Sequence, residues 1–169
     1  MPSNPYARFL DSRPASVILA ATPGTLEKLA EALGPARLAA PIAPGKWSPA
    51  QILAHMADCE LAFGFRLRQT LAQDPARHPG EAPHLVQPFD QDRWAVSYDR
   101  ITAQQSLAAF TALREWNLIL IRNAPAHAGG IPANHPVLGA LTFQTIVETL
   151  AGHDINHLRQ LQKTVNGEQ

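Results

Sequence analysis

The chain has 169 residues, with 14 acidic and 14 basic side chains and a formal net charge of zero at neutral pH. This length predicts a single domain, residues 1–169, that is large enough to bury its own core. The balanced charge, without any basic stripe, argues against nucleic acid or an anionic membrane as a partner, and no apolar run approaches transmembrane length.

The first fourteen residues contain Pro2, Pro5 and Pro14, and they predict an extended arm because proline lacks an N–H donor and restricts the residue before it. The apolar run at residues 15–21 is short for the core of a signal peptide and leads directly into a helix-start pattern. The single cysteine, Cys59, excludes an intrachain disulfide. Together these features favour a cytoplasmic protein.

The first helix is predicted to begin at Thr22, which resembles an N-cap, with Pro23 in the first helical position. A short helix at residues 15–21 is expected to precede it. The apolar face of the helix that begins at Thr22 ends at Gly34, and the prolines of residues 35–45 indicate a connector.

The second helix has the clearest start signal in the chain. Ser48 is the predicted N-cap, Pro49 follows it, and Gln51 is placed to complete a capping box. The apolar pattern then continues to residue 71, before an Asp-Pro pair ends it. Gly64 lies in the middle of this helix, where glycine is costly unless another group packs closely against it.

Residues 75–101 are rich in proline and lack periodicity, as is typical of long loops that cover functional sites. The segment from Phe89 to Trp94 brings two aromatic rings and two carboxylates to a possible lid. The alternative is a short surface helix whose aromatic rings are tucked into the core.

Thr102 and Gln105 form a second capping-box pattern, and the helix that follows is expected to end near residue 124. Residues 126–139 predict another irregular connection, after which Thr142 caps the last helix. Four substantial helices without a convincing strand pattern predict an all-α protein, an antiparallel four-helix bundle.

The last helix carries two histidines within its apolar seam. The seam positions recur at spacings of three and four: Phe143, Ile146, Leu150, His153, His157 and Leu161. Residues four apart lie one above the other on a helix, so His153 and His157 are placed to bind one metal ion. His55 is the natural third ligand, because it alone among the other histidines lies inside a strong helical pattern.

These histidines have a second interpretation, in which each imidazole at the edge of the core bonds a backbone carbonyl. The segment His153-Asp154-Ile155-Asn156-His157 superficially matches the zinc-protease pattern, but that pattern places glutamate beside the first histidine as general base. The residue here is Asp154, so we do not predict a protease.

Two segments, residues 45–60 around His55 and residues 152–160 around His153 and His157, resemble the DinB/YfiT-like superfamily. The resemblance spans nearly the whole chain. It implies a four-helix bundle, commonly a homodimer, in which these three histidines hold a divalent metal. The resemblance also implies an activity, either that of a metal-dependent hydrolase or that of an enzyme that uses a low-molecular-weight thiol. We therefore expect a small-molecule substrate, with a thiol as cosubstrate in the second case.

Three neutral imidazoles leave an ion an open position for water or a thiol. They suit zinc or nickel first, and iron, manganese, cobalt or copper after them. Asp58 lies three residues after His55 and is a candidate catalytic residue that orients a ligand or accepts a proton, although a solvated carboxylate explains it equally well. Cys59 is assigned to packing. The alternative function is a non-catalytic, metal-stabilised bundle that serves as a binding or dimerisation module.

Overall fold

The computed structural model describes residues 4–168, and most of these residues are helical. Four long helices form the body: α1 (Ala15–Ala39), α2 (Pro49–Ala72), α4 (Ala103–Arg122) and α5 (Phe143–Asn166). A single-turn helix, α3 (Gln91–Trp94), lies between α2 and α4. The predicted all-α four-helix bundle is therefore confirmed. No helix of the described residues is long and apolar enough to cross a membrane.

The helices pack in the order α1, α5, α2, α4 around the bundle. The consecutive long helices α1 and α2 therefore lie on one diagonal and α4 and α5 on the other, whereas α2 and α4 are neighbours. The neighbours α2 and α5 are antiparallel, since His55 meets His153 and Phe63 meets Ile146 at successive levels. Helices α1 and α4 are also antiparallel, since Leu19 meets Arg114 and, at the other end, Leu38 and Ala103 line one pocket. This order places α2 beside α5, the two helices that carry the predicted metal ligands.

Both predicted capping boxes are present. Ser48 and Gln51 exchange hydrogen bonds at the start of α2, and Thr102 and Gln105 do so at the start of α4. The hydroxyl of Thr142 accepts from the backbone N–H of Thr145 at the start of α5, as predicted. Each cap satisfies backbone donors that have no partner in the first helical turn.

The prediction that a helix begins at Thr22 is wrong. Helix α1 begins at Ala15 and runs through Pro23, and the Thr22 hydroxyl donates to the carbonyl of Ile18 instead of capping a helix. The connector also begins later than predicted. Gly34, at φ 66°, kinks the helix, which then continues to Ala39.

Two loops contain short strands that the sequence analysis did not predict. Strand β1 (His84–Leu85) pairs in parallel with β2 (Pro132–His135), and β2 pairs antiparallel with β3 (Gly139–Thr142). The N-terminal segment is not fully extended, because Ala7–Phe9 form a 3-10 turn, and residues 1–3 of the predicted arm lie outside the described residues.

The core consists of two apolar clusters at successive levels of the bundle. One contains Phe63, Leu67 and Ile146 beside the small sheet, and the other contains Leu26 and Phe110. A layer of buried polar side chains lies between them: Thr22, His55, Glu60, Arg114, Asn117, Asp154, His153 and His157. Buried polar groups of this kind require partners, so the layer is where a site is expected.

Candidate metal centre

The three predicted ligands meet in this polar layer. His55 projects from α2, and His153 and His157 project from successive turns of α5. The Nε2 atom of His153 lies 3.0 Å from Nε2 of His55 and 3.1 Å from Nε2 of His157. Two nitrogen ligands on a tetrahedral ion are about 3.3 Å apart when each bond is about 2.0–2.1 Å. The three imidazoles are therefore spaced closely enough to share one ion.

Burial keeps these imidazoles neutral. The three residues are buried, and burial is the main cause that lowers the pKa of each. For His55 the pKa falls to about 3, with the charge of His157 as the second cause. A neutral imidazole has one nitrogen with a free lone pair, which is the form that binds a metal.

The hydrogen bond on the far nitrogen of His157 fits a cation at the centre. Nδ1 of His157 lies 3.1 Å from the side-chain oxygen of Gln160, which can only accept, so Nδ1 carries the proton and Nε2 presents its lone pair to the centre. Such a bond on the far nitrogen orients metal-binding histidines. Nδ1 of His153 is buried without a hydrogen-bond partner. Among the described residues, one group of potential metal ligands has donor atoms that all lie within 4.8 Å of one another, and it consists of these three histidines.

Aromatic rings enclose the histidines. Phe89 from the long loop stacks on His55, with ring centroids 6.1 Å apart and planes 14° from parallel. Trp47 lies 5.1 Å from the same imidazole, and Tyr6 of the N-terminal segment meets His153 edge-on at 5.3 Å. This shell excludes bulk water, which strengthens electrostatic interactions within it.

Cys59 lies against the centre. Its Sγ is 3.5 Å from Nε2 of His55 and 3.6 Å from Nε2 of His153. Burial is the main cause that raises the pKa of this thiol, so the sulfur stays protonated at neutral pH. The side chain assigned to packing therefore also contacts two of the three histidines.

Asp58 takes a different position from the histidines. Its Oδ2 accepts a 2.7 Å hydrogen bond from the hydroxyl of Tyr98, and no hydrogen bond among the described residues joins it to a histidine. Burial raises the pKa of this carboxyl, and the bond from Tyr98 opposes that shift. The ring of Tyr98 packs on Trp47, which packs on His55. The side chain of Asp58 is therefore linked to the centre through two aromatic side chains, Tyr98 and Trp47.

A buried ion network adjoins the centre, and the sequence analysis missed it. Arg114 of α4 is fully buried, and its guanidinium donates to both carboxylate oxygens of Asp154, at 2.6 and 3.1 Å, and to Glu60 at 2.6 Å. Burial alone lowers the pKa of Arg114, but the carboxylates of Asp154 and Glu60 outweigh it, so the net shift is upward. Because Asp154 follows His153 directly, this network fixes the helix segment that carries a central imidazole.

Comparison with known proteins identifies the family. The family model of the DinB superfamily matches residues 18–161, which is most of the chain and includes all three histidines. The chain belongs to the DinB superfamily.

Two relatives illustrate the likeness of this DinB-superfamily chain to known proteins. One is YfiT from Bacillus subtilis, described as a probable metal-dependent hydrolase with an unusual four-helix bundle topology. The two structures agree with a TM-score of 0.79 over 92% of this chain and 87% of YfiT, at 19% identity, which supports the shared fold. The other, from Oceanobacillus iheyensis, is named "Putative metal-dependent hydrolase OB0782" and is 25% identical over 118 residues. That match covers 69% of this chain and 64% of the relative.

Sequence signals for the missed residues are weak but present. Phe110, Arg114 and Asn117 recur at spacings of four and three, which places an arginine on the buried face of α4. Glu60 and Asp154 each follow a residue of the site directly along the chain. These spacings show which face the side chains share, but they do not show that the three charges meet.

Proposed function

We propose that this DinB-superfamily protein is a metal-dependent hydrolase of a small-molecule substrate, and that His55, His153 and His157 hold one divalent ion. The observation that carries the proposal is the convergence of three buried, neutral imidazoles from two helices. The names of the two relatives support hydrolysis as the reaction.

An ion held by three imidazoles supplies a Lewis acid and lowers the pKa of a coordinated water to about 7. The chain's own residues provide the conditions for this chemistry. Burial keeps the imidazoles unprotonated, and Gln160 fixes the tautomer of His157. Phe89, Trp47 and Tyr6 exclude bulk water from the imidazoles.

The metal we propose is zinc or nickel. Nitrogen donors suit either ion, and the donor set consists of three uncharged imidazoles without a carboxylate. Iron, manganese, cobalt and copper are less favoured occupants of the same nitrogen set. Asp58 is proposed as a residue that acts through Tyr98, since that hydroxyl is its only side-chain hydrogen-bond partner among the described residues.

We also propose that residues 1–169 form one domain and that the protein is cytoplasmic. We propose further that it is a homodimer, and that one face of α2 and one face of α4 form the dimer contact. Leu61 and Phe65 on α2, and Trp116 and Ile119 on α4, are exposed apolar side chains. Large exposed apolar side chains on neighbouring helices are typical of interaction surfaces. Light scattering of wild type and of Trp116→Glu tests the proposed dimer. Wild type is expected to be dimeric and Trp116→Glu monomeric, and a monomeric wild type would contradict the proposal.

Metal analysis tests the site. Protein purified without chelator or nickel resin is expected to contain one divalent ion per chain. His55→Ala and His153→Ala should lose the ion, and His78→Ala, which changes an exposed histidine outside the cluster, should keep it. Circular dichroism verifies that each variant is folded. Full metal occupancy in folded His55→Ala would overturn the assignment.

An activity screen tests the reaction. Wild type and His153→Ala are compared on small esters, amides and other activated substrates, and on thiol and electrophile pairs. Hydrolysis by wild type alone supports the proposal. Turnover only with a thiol would replace hydrolysis by thiol transfer, and no turnover in a metal-loaded protein would favour the non-catalytic bundle.

A further inference from the structure

Arg66 is a half-buried cation that has no carboxylate partner among residues 4–168. Its guanidinium lies over the ring of Phe63, 4.9 Å from the centroid, and donates a 3.1 Å hydrogen bond to the carbonyl of Gln87. None of the ion pairs formed within residues 4–168 includes Arg66. One neutral carbonyl does not balance a partly desolvated charge, so the guanidinium retains the capacity to bind an anion.

A small cavity of about 40 Å³ adjoins this guanidinium. The polar side chains of its lining are Arg66, His135 and Thr149, and the Thr149 hydroxyl already donates to the carbonyl of Thr145. The other walls are apolar and include Phe63, Val86 and Leu138. Since one water needs roughly 10–15 Å³ of such space, the cavity has room for a group of a few heavy atoms. That is the size of a carboxylate, and we call the site the Arg66 cavity.

His135 offers a second hydrogen-bond donor to the Arg66 cavity. Its Nδ1 accepts from the backbone N–H groups of Val137 and Leu138, each at 3.1 Å, so the proton of the neutral ring lies on Nε2. Burial lowers the pKa of His135, and the charge of Arg66 is the second cause. The two side chains are therefore close enough to interact, and both present N–H groups.

The Arg66 cavity shares a wall with the candidate metal centre. The ring of Phe63 lines the cavity and also lies 6.5 Å from the ring of His153. Gln87, which binds Arg66, is two residues before Phe89, which stacks on His55. A ligand anchored at Arg66 is thus next to the enclosed histidines.

We propose that the Arg66 cavity binds an oxyanion of the substrate, and that the substrate is a small organic carboxylate or phosphate. That the bound anion belongs to a substrate rests on the proposed function, whereas anion binding itself does not require the metal. Arg66 provides the charge and a planar fork of donors, which matches carboxylate and phosphate oxygens. His135 provides a neutral donor, and the apolar walls disfavour a hydrated cation.

The test is a titration of the protein as purified, and again after chelation and dialysis, with acetate, inorganic phosphate or uncharged acetamide at constant ionic strength. The readout is the NMR signal of the His135 ring, assigned with His135→Gln. Saturable shifts with acetate or phosphate, but not with acetamide, are expected in both preparations. The better of the two anions identifies the oxyanion class.

Variants separate a binding role from a structural one. Arg66→Gln should weaken anion binding about tenfold or more, because the charge is lost. Arg66→Lys, which keeps the charge without the fork, should bind with intermediate affinity. Arg93→Gln is the matched control, since it removes an arginine that is 87% exposed and does not line the cavity.

The outcomes distinguish this proposal from the proposed function. Anion binding that survives in metal-free protein supports the Arg66 cavity even if the histidines bind no ion. Equal affinity in wild type, Arg66→Gln and Arg93→Gln would overturn it, as would the absence of binding in wild type. Should Arg66→Gln fail to fold, Arg66→Lys and wild type still decide the question.

Discussion

The guanidinium of Arg114 donates a 2.8 Å hydrogen bond to the carbonyl of Leu19. In an uninterrupted helix that carbonyl would accept from the N–H of residue 23, but residue 23 is proline and has none. A side chain from α4 therefore replaces the backbone donor that α1 lacks. The same guanidinium binds Asp154, which follows His153, so one arginine joins the irregularity in α1 to the candidate metal centre.

The first prediction concerns this arginine. Arg114→Ala leaves the buried carboxylates of Glu60 and Asp154 without a counter-ion, and loss of one partner of a buried pair costs about 3–5 kcal/mol. Urea unfolding should show a decrease of that size in the free energy of unfolding. Arg93→Ala, at an exposed position, should change it by less than about 0.5 kcal/mol. Equal effects of the two substitutions would contradict the network's role.

Arg114 also explains which parts of the fold could be predicted. The starts of α2 and α4 were predicted correctly because Ser48 with Gln51, and Thr102 with Gln105, satisfy the first turn locally. Thr22 and Pro23 carry only the N-cap and first-position part of such a signal, because residue 25 is threonine and not Glu or Gln, and they lie inside α1. Their helix continues because a distant arginine satisfies Leu19, and no pattern within the segment reveals that contact.

The site shows the same division between local and distant information. Spacing on one helix was enough to pair His153 with His157, and the helical pattern around His55 selected it as the third member. Spacing could not show that Asp58 turns to Tyr98. The strands were missed because His84 and Leu85 form only a two-residue segment, and their pairing with Ala133 and Asn134 is set by chain distant in sequence.

The second prediction compares two glycines in helices. A Cβ at Gly64 would lie 2.5 Å from Oδ1 of Asn117, whose amide donates to the backbone and side chain of Glu60. Gly64→Ala should therefore lower the free energy of unfolding by about 1–3 kcal/mol. A Cβ at Gly24 meets nothing within 4 Å, so Gly24→Ala is the control and should stabilise by roughly 0.4–1 kcal/mol. Equal changes in urea unfolding would refute the close contact.

The third prediction concerns the N-terminal segment. A Cβ at Gly152 would lie 2.6 Å from the carbonyl oxygen of Tyr6, whose ring covers His153. Gly152→Ala should displace this segment and speed tryptic cleavage after Arg8, measured by mass spectrometry over time, whereas the bond after Arg13 precedes Pro14 and resists trypsin. Gly24→Ala should leave the cleavage rate unchanged. Unaltered cleavage in Gly152→Ala would show that the segment is not held against α5.

The fourth prediction concerns metal removal. The two apolar clusters supply a core without an ion, and ligation by His55, His153 and His157 would add stability only to the folded state. Calorimetry should show that chelated protein is folded but melts at a lower temperature than metal-loaded protein. The His153→Ala variant should show no difference with and without chelator. Loss of helical circular dichroism on chelation at room temperature would show that the apolar clusters are insufficient.

The fifth prediction is the pH dependence of the metal-free protein. The pKa of His55 is lowered to about 3, and those of His153 and His157 are also lowered, whereas an unfolded chain binds these protons near pH 6.5. As the pH falls below about 6.5, the unfolded state therefore takes up protons that the folded state excludes. For His55 the loss in the free energy of unfolding totals about 1.4 kcal/mol by pH 5.5, then approaches about 1.4 kcal/mol per pH unit and continues toward pH 3. His153 and His157 add losses in the same direction.

Urea unfolding between pH 8 and pH 5.5 measures this slope, above the range in which most carboxylates titrate. His55→Phe should remove the contribution of one histidine from the slope. His78→Ala, which changes an exposed side chain, should leave the slope as in wild type. If stability were constant down to pH 5.5, the imidazoles would be taking up protons in the folded state, and their burial as neutral metal-binding groups would be wrong.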